Sequence, residues 1–148
     1  MTQTWTWRGF PISYQAQGDF GPAVVFVHGF GASWGHWRKN LLVLAASCRC
    51  YAIDLIGFGG SAKPTPKLEI DYTFETWGEQ IADFCKEVVG DKAFLVGNSI
   101  GCVAAMQAAF DFPEIALPLS PSPPLPIPPL PLSPSPHPPL SPSPPLFP

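Results

Sequence analysis

A serine lies between two glycines at the point where a buried strand is predicted to meet a helix. The segment reads Gly97-Asn98-Ser99-Ile100-Gly101, preceded by A-F-L-V and followed by C-V-A-A-M-Q-A-A. Such a turn gives the serine a positive φ, so side chains two residues away on either side would collide, and Gly97 and Gly101 remove them. We therefore predict that Ser99 is a nucleophile held at a helix N-terminus, where the helix dipole favours negative charge. The alternative is an ordinary glycine turn.

A second glycine-rich loop, His28-Gly29-Phe30-Gly31, also follows an apolar strand directly. Gly29 and Gly31 would let backbone amides approach a substrate oxygen. The N–H groups of Phe30 and Ile100 are therefore predicted to form a two-donor oxyanion hole. His28 precedes the serine along the chain, so we expect its side chain to hold the loop rather than to act as the catalytic base. A tight turn without a catalytic role is the alternative.

The third candidate segment is Asp54-Leu55-Ile56-Gly57-Phe58-Gly59-Gly60-Ser61. Asp54 ends a predicted strand, and we expect its carboxylate to tie down the loop that follows. A catalytic role for Asp54 is the alternative. Trp34, His36 and Trp37 are expected to begin and pack a helix, although Trp34 could instead line the mouth of a pocket.

Strands must alternate with helices to position these three loops. Apolar runs and residue periodicity predict strands at 5–8, 12–16, 23–27, 50–53 and 93–96, and helices at 37–46, 74–88 and 100–110. This alternation predicts an α/β fold with a mainly parallel sheet flanked by helices. The first two strands lie close together in sequence and are expected to form an antiparallel extension at one edge.

Composition excludes several classes of function. The net charge of −3, from 8 basic and 11 acidic residues, gives no electrostatic footprint for nucleic acid or an anionic membrane. The longest apolar run, residues 41–46, is too short for a transmembrane segment, and no signal peptide opens the chain, so we expect a cytoplasmic protein. The four cysteines lack the spacing of a zinc site. We predict small buried thiols, with neither a metal nor a cofactor.

The proline content divides the chain into two parts. Residues 118–148 contain 16 of the 21 prolines and no Lys, Arg, Asp or Glu. This segment is predicted to be a disordered, low-complexity tail, whereas residues 1–117 have the composition of a globular domain. The P-x-x-P sequences of the tail offer an alternative function, a non-catalytic protein that displays a proline-rich arm to SH3 or WW domains.

The motifs H-G-F-G, D-L-I-G-F-G-G-S and G-N-S-I-G, in this order, resemble the N-terminal half of an α/β-hydrolase-fold enzyme. Their phrasing is similar to that of plant and cyanobacterial pheophytinase-like and dephytylase-like hydrolases, and to serine C–C bond hydrolases. A serine at position 99 argues against the dehalogenase and epoxide-hydrolase branches, whose nucleophile is an aspartate. The resemblance implies hydrolysis of a small-molecule ester or another hydrophobic acyl substrate. In a photosynthetic source it also implies a stroma-like plastid location.

The same resemblance places a catalytic acid and then a histidine after the serine. Asp111 and Glu114 instead follow at the far end of the helix that Ser99 begins, and Asp111 lies about 18 Å away at 1.5 Å per residue. His137 stands in S-P-S-P-H-P-P-L, where nothing holds its ring. We therefore predict a truncated serine hydrolase, ended by a frameshift or a sequence error and inactive as written. The unpaired edge of strand 93–96 predicts self-association.

Overall fold

The strands of this computed structural model form one mixed sheet, and the structure describes residues 2–117 of the chain. The five strands are β1 (Gln3–Trp7), β2 (Phe10–Gln17), β3 (Ala23–Val27), β4 (Arg49–Ile53) and β5 (Ala93–Gly97). Their order is β1-β2-β4-β3-β5. Strand β2 pairs antiparallel with β1 and β4, whereas β3 pairs parallel with β4 and β5. The predicted antiparallel extension at one edge is confirmed. The predicted disorder of residues 118–148 lies outside the described residues.

The helices are α1 (Arg38–Leu44), α2 (Phe74–Phe84) and α3 (Ile100–Asp111). The prediction of a single helix over 37–46 is wrong at both ends, because a 3-10 turn covers Trp34–Trp37 and α1 ends at Leu44. A Cβ at Gly18 would lie 2.1 Å from the Cys48 oxygen and 2.9 Å from the Ala45 oxygen. This close packing requires the chain to turn before β4.

The predicted helix 74–88 also changes character before its end. Its α-helical part stops at Phe84, and Cys85–Val89 continues as a π-helical turn. Gly90 ends this turn with φ 68°, the left-handed conformation that glycine adopts without steric cost. At the start of α2, the Thr73 hydroxyl accepts a hydrogen bond from the Thr76 N–H.

Strand β3 separates two apolar clusters, one on each face of the sheet. All five of its residues are buried. Val25 and Val27 belong to the cluster that includes residues of α2 and α3, whereas Val24 and Phe26 pack against the cluster that includes Leu41 of α1. Because successive side chains point to opposite faces, a strand covered by helices on both sides must be apolar throughout. The continuous apolar run at 23–27 reflects this position.

Strand β5 lies at the other edge of the described sheet. It pairs with β3 along one side. On its other side Ala93 forms a single parallel bridge with Ala116, and the Leu117 N–H donates to the Ala93 oxygen at 2.9 Å. Within residues 2–117 the expected free edge is therefore present from Phe94 onward, but the expectation is wrong at Ala93. Self-association through this edge stays a prediction.

The cysteines differ in exposure. Cys50 and Cys85 are buried, and burial raises the pKa of the Cys85 thiol to about 12. The prediction of small buried thiols is wrong for Cys102, which is exposed, because it lies outside the buried face of α3 that includes Ala104 and Ala108. Residues 2–117 contain no group of three His, Cys, Asp or Glu side chains that could hold a metal ion. No helix in this part of the chain is long and apolar enough to cross a membrane.

Candidate active site

Ser99 lies in a strained turn between β5 and α3. Its backbone has φ 54° and ψ −124°, and the residue is exposed at the N-terminus of α3. A Cβ at Gly97 would lie 2.4 Å from the Cys102 nitrogen. A Cβ at Gly101 would lie 2.4 Å from the backbone oxygens of both His28 and Val27. Only glycine fits at either position, and the two glycines allow the turn to pack tightly between its strand, its helix and β3.

The loop after β3 lies directly against this turn. A Cβ at Gly29 would lie 3.2 Å from both the Ser99 Cβ and the Asn98 oxygen. Gly31 has φ 67°, which lets the loop turn back after Phe30. No acceptor in residues 2–117 takes the backbone N–H of Phe30 or Ile100. Gly29, the residue before Phe30, thus lies against the turn that contains Ile100, and the oxyanion hole itself stays a prediction.

His28 has no exposed surface, and both of its ring nitrogens are engaged. Nε2 accepts a hydrogen bond from the Leu55 N–H at 3.1 Å, and Nδ1 lies 2.7 Å from the Gly29 oxygen. Because a carbonyl oxygen can only accept, Nδ1 carries the proton and the ring is neutral. Burial lowers the pKa of His28, an effect that the hydrogen bond to Gly29 partly offsets. The ring joins the loop after β3 to the loop after β4.

Asp54 is 1% exposed and joins the same two loops. One carboxylate oxygen accepts from the Trp34 N–H, and the other accepts from the Gly60 N–H at 2.7 Å. A Cβ at Gly59 would lie 2.3 Å from the Asp54 Oδ2, so the loop can wrap around the carboxylate only with glycine there. The Ser61 hydroxyl donates to the Asp54 backbone oxygen at 2.7 Å. These contacts give Asp54 a positioning role in the geometry.

A contact between Asn98 and His36 was not anticipated from the sequence. The Asn98 Nδ2 lies 3.0 Å from the Nε2 of His36, which is exposed at the surface of the 3-10 turn. An amide nitrogen can only donate, so His36 accepts this bond with an unprotonated Nε2. The two residues are 62 positions apart. Neither periodicity nor motif spacing signals such a contact.

The acidic residues that follow Ser99 are engaged elsewhere. Asp111 accepts a hydrogen bond from Gln107 at 2.7 Å, one helical turn earlier on α3. Glu114 forms an exposed ion pair with Lys86 at 3.0 Å. Across residues 2–117, no side chain forms a hydrogen bond with the Ser99 hydroxyl. The carboxylates of Asp111 and Glu114 thus bind groups other than Ser99, the lack of a catalytic acid stays a prediction, and His137 lies outside the described residues.

A pocket of about 500 Å³ opens beside Phe30. Its lining residues come from the loops after β3 and β4 and from α2 with the segment before it: Phe30, Gly57, Phe58, Lys63, Pro64, Pro66, Tyr72 and Trp77. We call it the aromatic pocket. Trp34 is absent from this lining, and its indole packs against the cluster on the α1 side of the sheet. The helix predicted at 74–88 includes Trp77, but its periodicity does not indicate that this residue lines a pocket.

Comparison with known proteins identifies the family. The sequence profile of the alpha/beta hydrolase family matches residues 24–148. The chain belongs to the alpha/beta hydrolase family. The mixed sheet flanked by helices is thus an α/β-hydrolase fold, as the three sequence motifs implied.

Individual relatives of this α/β hydrolase carry different activities in their names. It is 40% identical over 85 residues to a 2-hydroxy-6-oxo-6-(2'-aminophenyl)hexa-2,4-dienoic acid hydrolase from Metapseudomonas resinovorans, covering 55% of this chain and 28% of that protein. It is 35% identical over 95 residues to bifunctional epoxide hydrolase 2 from Sus scrofa, covering 64% of this chain and 17% of that protein. Similarity therefore extends to proteins named as epoxide hydrolases, a branch that Ser99 argued against.

A solved structure shows the same fold. A bacterial membrane phospholipase A superposes with a TM-score of 0.73 and 29% identity, over 78% of this chain and 37% of that protein. This α/β hydrolase thus spans between 17% and 37% of the length of these proteins. The closer likeness of its motifs to pheophytinase-like and dephytylase-like hydrolases stays a prediction.

Proposed function

We propose that residues 2–117 supply the nucleophile and the oxyanion hole of a serine hydrolase that acts on small-molecule carboxylic esters. The observation that carries this proposal is the Ser99 turn, whose φ of 54° exposes the serine at the N-terminus of α3. In this mechanism the Ser99 Oγ attacks the ester carbonyl and the alcohol leaves. Water then hydrolyses the acyl-serine. The family membership supports the reaction class, because the alpha/beta hydrolase profile matches residues 24–148, which include Ser99.

The two free backbone donors act on the charge that develops during attack. When the Oγ–carbon bond forms, the carbonyl oxygen becomes an oxyanion. The N–H groups of Phe30 and Ile100 would donate to it, and the N-terminal end of α3 adds a favourable dipole. These donors are preorganised, because Gly29 is packed against Ser99 and Gly101 is packed against the end of β3. Removal of one such donor costs a factor of about 10² to 10³ in kcat in a serine hydrolase.

The chemistry of serine favours esters over epoxides. Attack of a serine oxygen on an epoxide carbon would leave an ether, which contains no carbonyl for water to attack. Attack on an ester leaves an acyl-serine, which water can hydrolyse. Ser99 therefore supports acyl transfer even though epoxide hydrolases stand among the relatives.

Neither histidine of the described residues serves Ser99 as a base. His28 uses both ring nitrogens to join two loops, and His36 accepts from Asn98. In this proposal the general base and its acid partner are supplied from outside residues 2–117. The chain as given then hydrolyses activated aryl esters only feebly, since an unassisted serine hydroxyl is a weak nucleophile.

A chimera tests the proposal. Residues 118–148 are replaced by the C-terminal half of a full-length serine-dependent relative, beginning at its sixth strand, which supplies the acid and the histidine. We expect a fluorophosphonate probe to label Ser99, and ester turnover to rise by several orders of magnitude, because loss of a triad costs up to about 10⁶ in kcat. Ser99→Ala in the chimera is the control and should abolish labelling. A folded chimera that is never labelled at Ser99 would refute the assignment.

C–C bond hydrolysis by the same serine is a second candidate. The observation that favours it is the similarity to a hydrolase named for a 2-hydroxy-6-oxo-dienoic acid. Assay of the unlabelled chimera with an aryl ester and with a 2-hydroxy-6-oxo-dienoic acid distinguishes the candidates. A higher kcat/KM for the ester supports the first proposal, and the reverse order supports the second.

A further inference from the structure

The aromatic pocket is lined mainly by apolar surface. The indole N–H of Trp77 donates to the Ile56 oxygen at 3.2 Å, and the Tyr72 hydroxyl donates to the Pro64 oxygen at 2.6 Å. The polar atoms of both rings are thus satisfied by the protein backbone. A ligand in the pocket therefore meets ring carbons and proline carbons.

The rings of the pocket are inclined to one another rather than stacked in parallel. Phe58 lies 5.4 Å from Phe30 at an interplanar angle of 73°, and 5.8 Å from Trp77 at 47°. Gly57 allows Tyr72 to approach, because a Cβ there would lie 2.6 Å from the Tyr72 ring. Rings arranged in this way present their faces and edges to a further planar group, which gains both burial and favourable aromatic geometry.

Lys63 is the one charged residue of this lining. Its ammonium donates to the Gly59 oxygen at 2.8 Å and to the Ser61 oxygen at 3.1 Å. These two bonds place the charge at the pocket and leave a third N–H donor available. No carboxylate among residues 2–117 forms an ion pair with Lys63. A ligand with its own negative charge would therefore complement the pocket.

The aromatic pocket is also adjacent to the proposed oxyanion hole. The Phe30 side chain, 78% exposed, lines the pocket, whereas its backbone N–H is one of the two proposed donors. Gly29, the preceding residue, is packed against Ser99. The loop after β3 thus contacts both features, since Phe30 lines the pocket and Gly29 packs against Ser99.

We propose that the aromatic pocket binds the planar, unsaturated part of a small-molecule carboxylate, whose negative charge is held by Lys63. As a substrate subsite this inference rests on the proposed function, since it places the reacting group of the same ligand beside Ser99. As a binding site it depends only on the pocket. The occupant is a small molecule, because one cation and four rings match the size and charge of a single aromatic acid.

The test compares two probes of equal shape on the full 148-residue chain. Isothermal titration calorimetry at pH 7.5 measures the Kd of 2-naphthoate, which carries a charge, and of neutral 2-naphthamide. We expect 2-naphthoate to bind about 1.5-fold to fivefold more tightly, the range given by ion pairs at exposed positions. Equal affinities for the two probes would overturn the role of Lys63, and no binding of either probe would overturn the whole inference.

Substitutions test whether Lys63 causes the preference for 2-naphthoate over 2-naphthamide. Lys63→Met should equalise the two Kd values, whereas Lys63→Arg should keep the preference. Lys67→Met is the matched control, because it removes the same charge from the same loop but lies outside the lining. It should change neither Kd. Loss of preference in Lys67→Met as well would show a general charge effect and overturn the assignment. Phe30→Ala should weaken both probes, and unchanged binding of both would place them elsewhere.

The probe-binding results test the pocket separately from the proposed function of Ser99. Ser99→Ala should leave both Kd values unchanged, since the serine does not line the pocket. Selective binding of 2-naphthoate together with a chimera that is never labelled would support the pocket and refute the serine hydrolase. A labelled chimera without probe binding would refute the pocket alone.

Discussion

Substitution of Asp54 by asparagine tests how the two loops of the candidate site are held. The carboxylate accepts one backbone N–H on each oxygen, from Trp34 and from Gly60. An asparagine presents one oxygen and one NH₂ group. In either orientation it satisfies one backbone donor and points N–H at the other. The substitution therefore removes one hydrogen bond to a charged group and leaves a partly buried N–H without an acceptor.

The magnitude follows from these two losses. A hydrogen bond to a charged group contributes about 1.5–3 kcal/mol, and an unsatisfied buried donor costs about 1–3 kcal/mol, two terms that overlap because they describe the same N–H. We expect Asp54→Asn to lower the free energy of unfolding by about 2–4 kcal/mol. That is a large part of the stability of a small domain.

Urea denaturation of the full chain, followed by circular dichroism at 222 nm, measures this loss. Asp19→Asn is the matched control, because Asp19 is exposed and no side-chain hydrogen bond joins it to the other described residues; its effect should stay within about 0.5 kcal/mol. In the chimera before labelling, Asp54→Asn should lower the melting temperature, while Ser99 should still react with the fluorophosphonate probe at low temperature. A loss below about 0.5 kcal/mol for Asp54→Asn would refute the positioning role.

Three further outcomes are expected. Gly101→Ala should prevent folding or lower the free energy of unfolding by several kcal/mol, because its Cβ would lie 2.4 Å from two backbone oxygens. Gly35→Ala is the control for the thermal melts, since its Cβ would meet only a side-chain hydroxyl at 3.4 Å. Burial lowers the pKa of His28, so as the pH falls the unfolded chain takes up a proton at a higher pH than the folded chain does. The urea midpoint should therefore fall as the pH drops below about 6.5, and it should fall less in His28→Asn. A maleimide at pH 7.5 should modify the exposed thiol of Cys102 within minutes. Cys85 is buried and its pKa is about 12, so it should react only in denaturant. Peptide mass spectrometry measures both reactions.

The backbone conformation at Ser99, the burial of strand 23–27 and the order of the elements could be predicted from the sequence alone. The glycine-serine-glycine spacing at residues 97–101 predicted the positive φ at Ser99. The crowding at Gly97 comes from the nearby Cys102 backbone, whereas the crowding at Gly101 comes from Val27 and His28 and depends on the tertiary structure. The apolar run at 23–27 predicted a strand buried on both faces, since a run of β-branched and aromatic residues without alternation fits no half-exposed strand. The α/β order of the elements followed from the same patterns.

The ends of helices were less predictable. The helix expected at 37–46 ends at Leu44, because the following residues pack against Gly18 of the β2–β3 turn. The last turn of the helix expected at 74–88 is π-helical. Helix boundaries depend on what the chain meets next in space, and periodicity within the helix carries no information about that contact.

The connections within the candidate site were decided by the tertiary structure. Asp54 reaches the Trp34 N–H across 20 residues, Asn98 reaches His36 across 62, and the aromatic pocket combines side chains from Phe30 to Trp77. The sequence determined which residues could perform chemistry, because the steric and electronic demands on them are local. Which loops hold them, which thiol is exposed and where a ligand fits depend on segments that meet only after the sheet has formed, so no spacing along the chain records them.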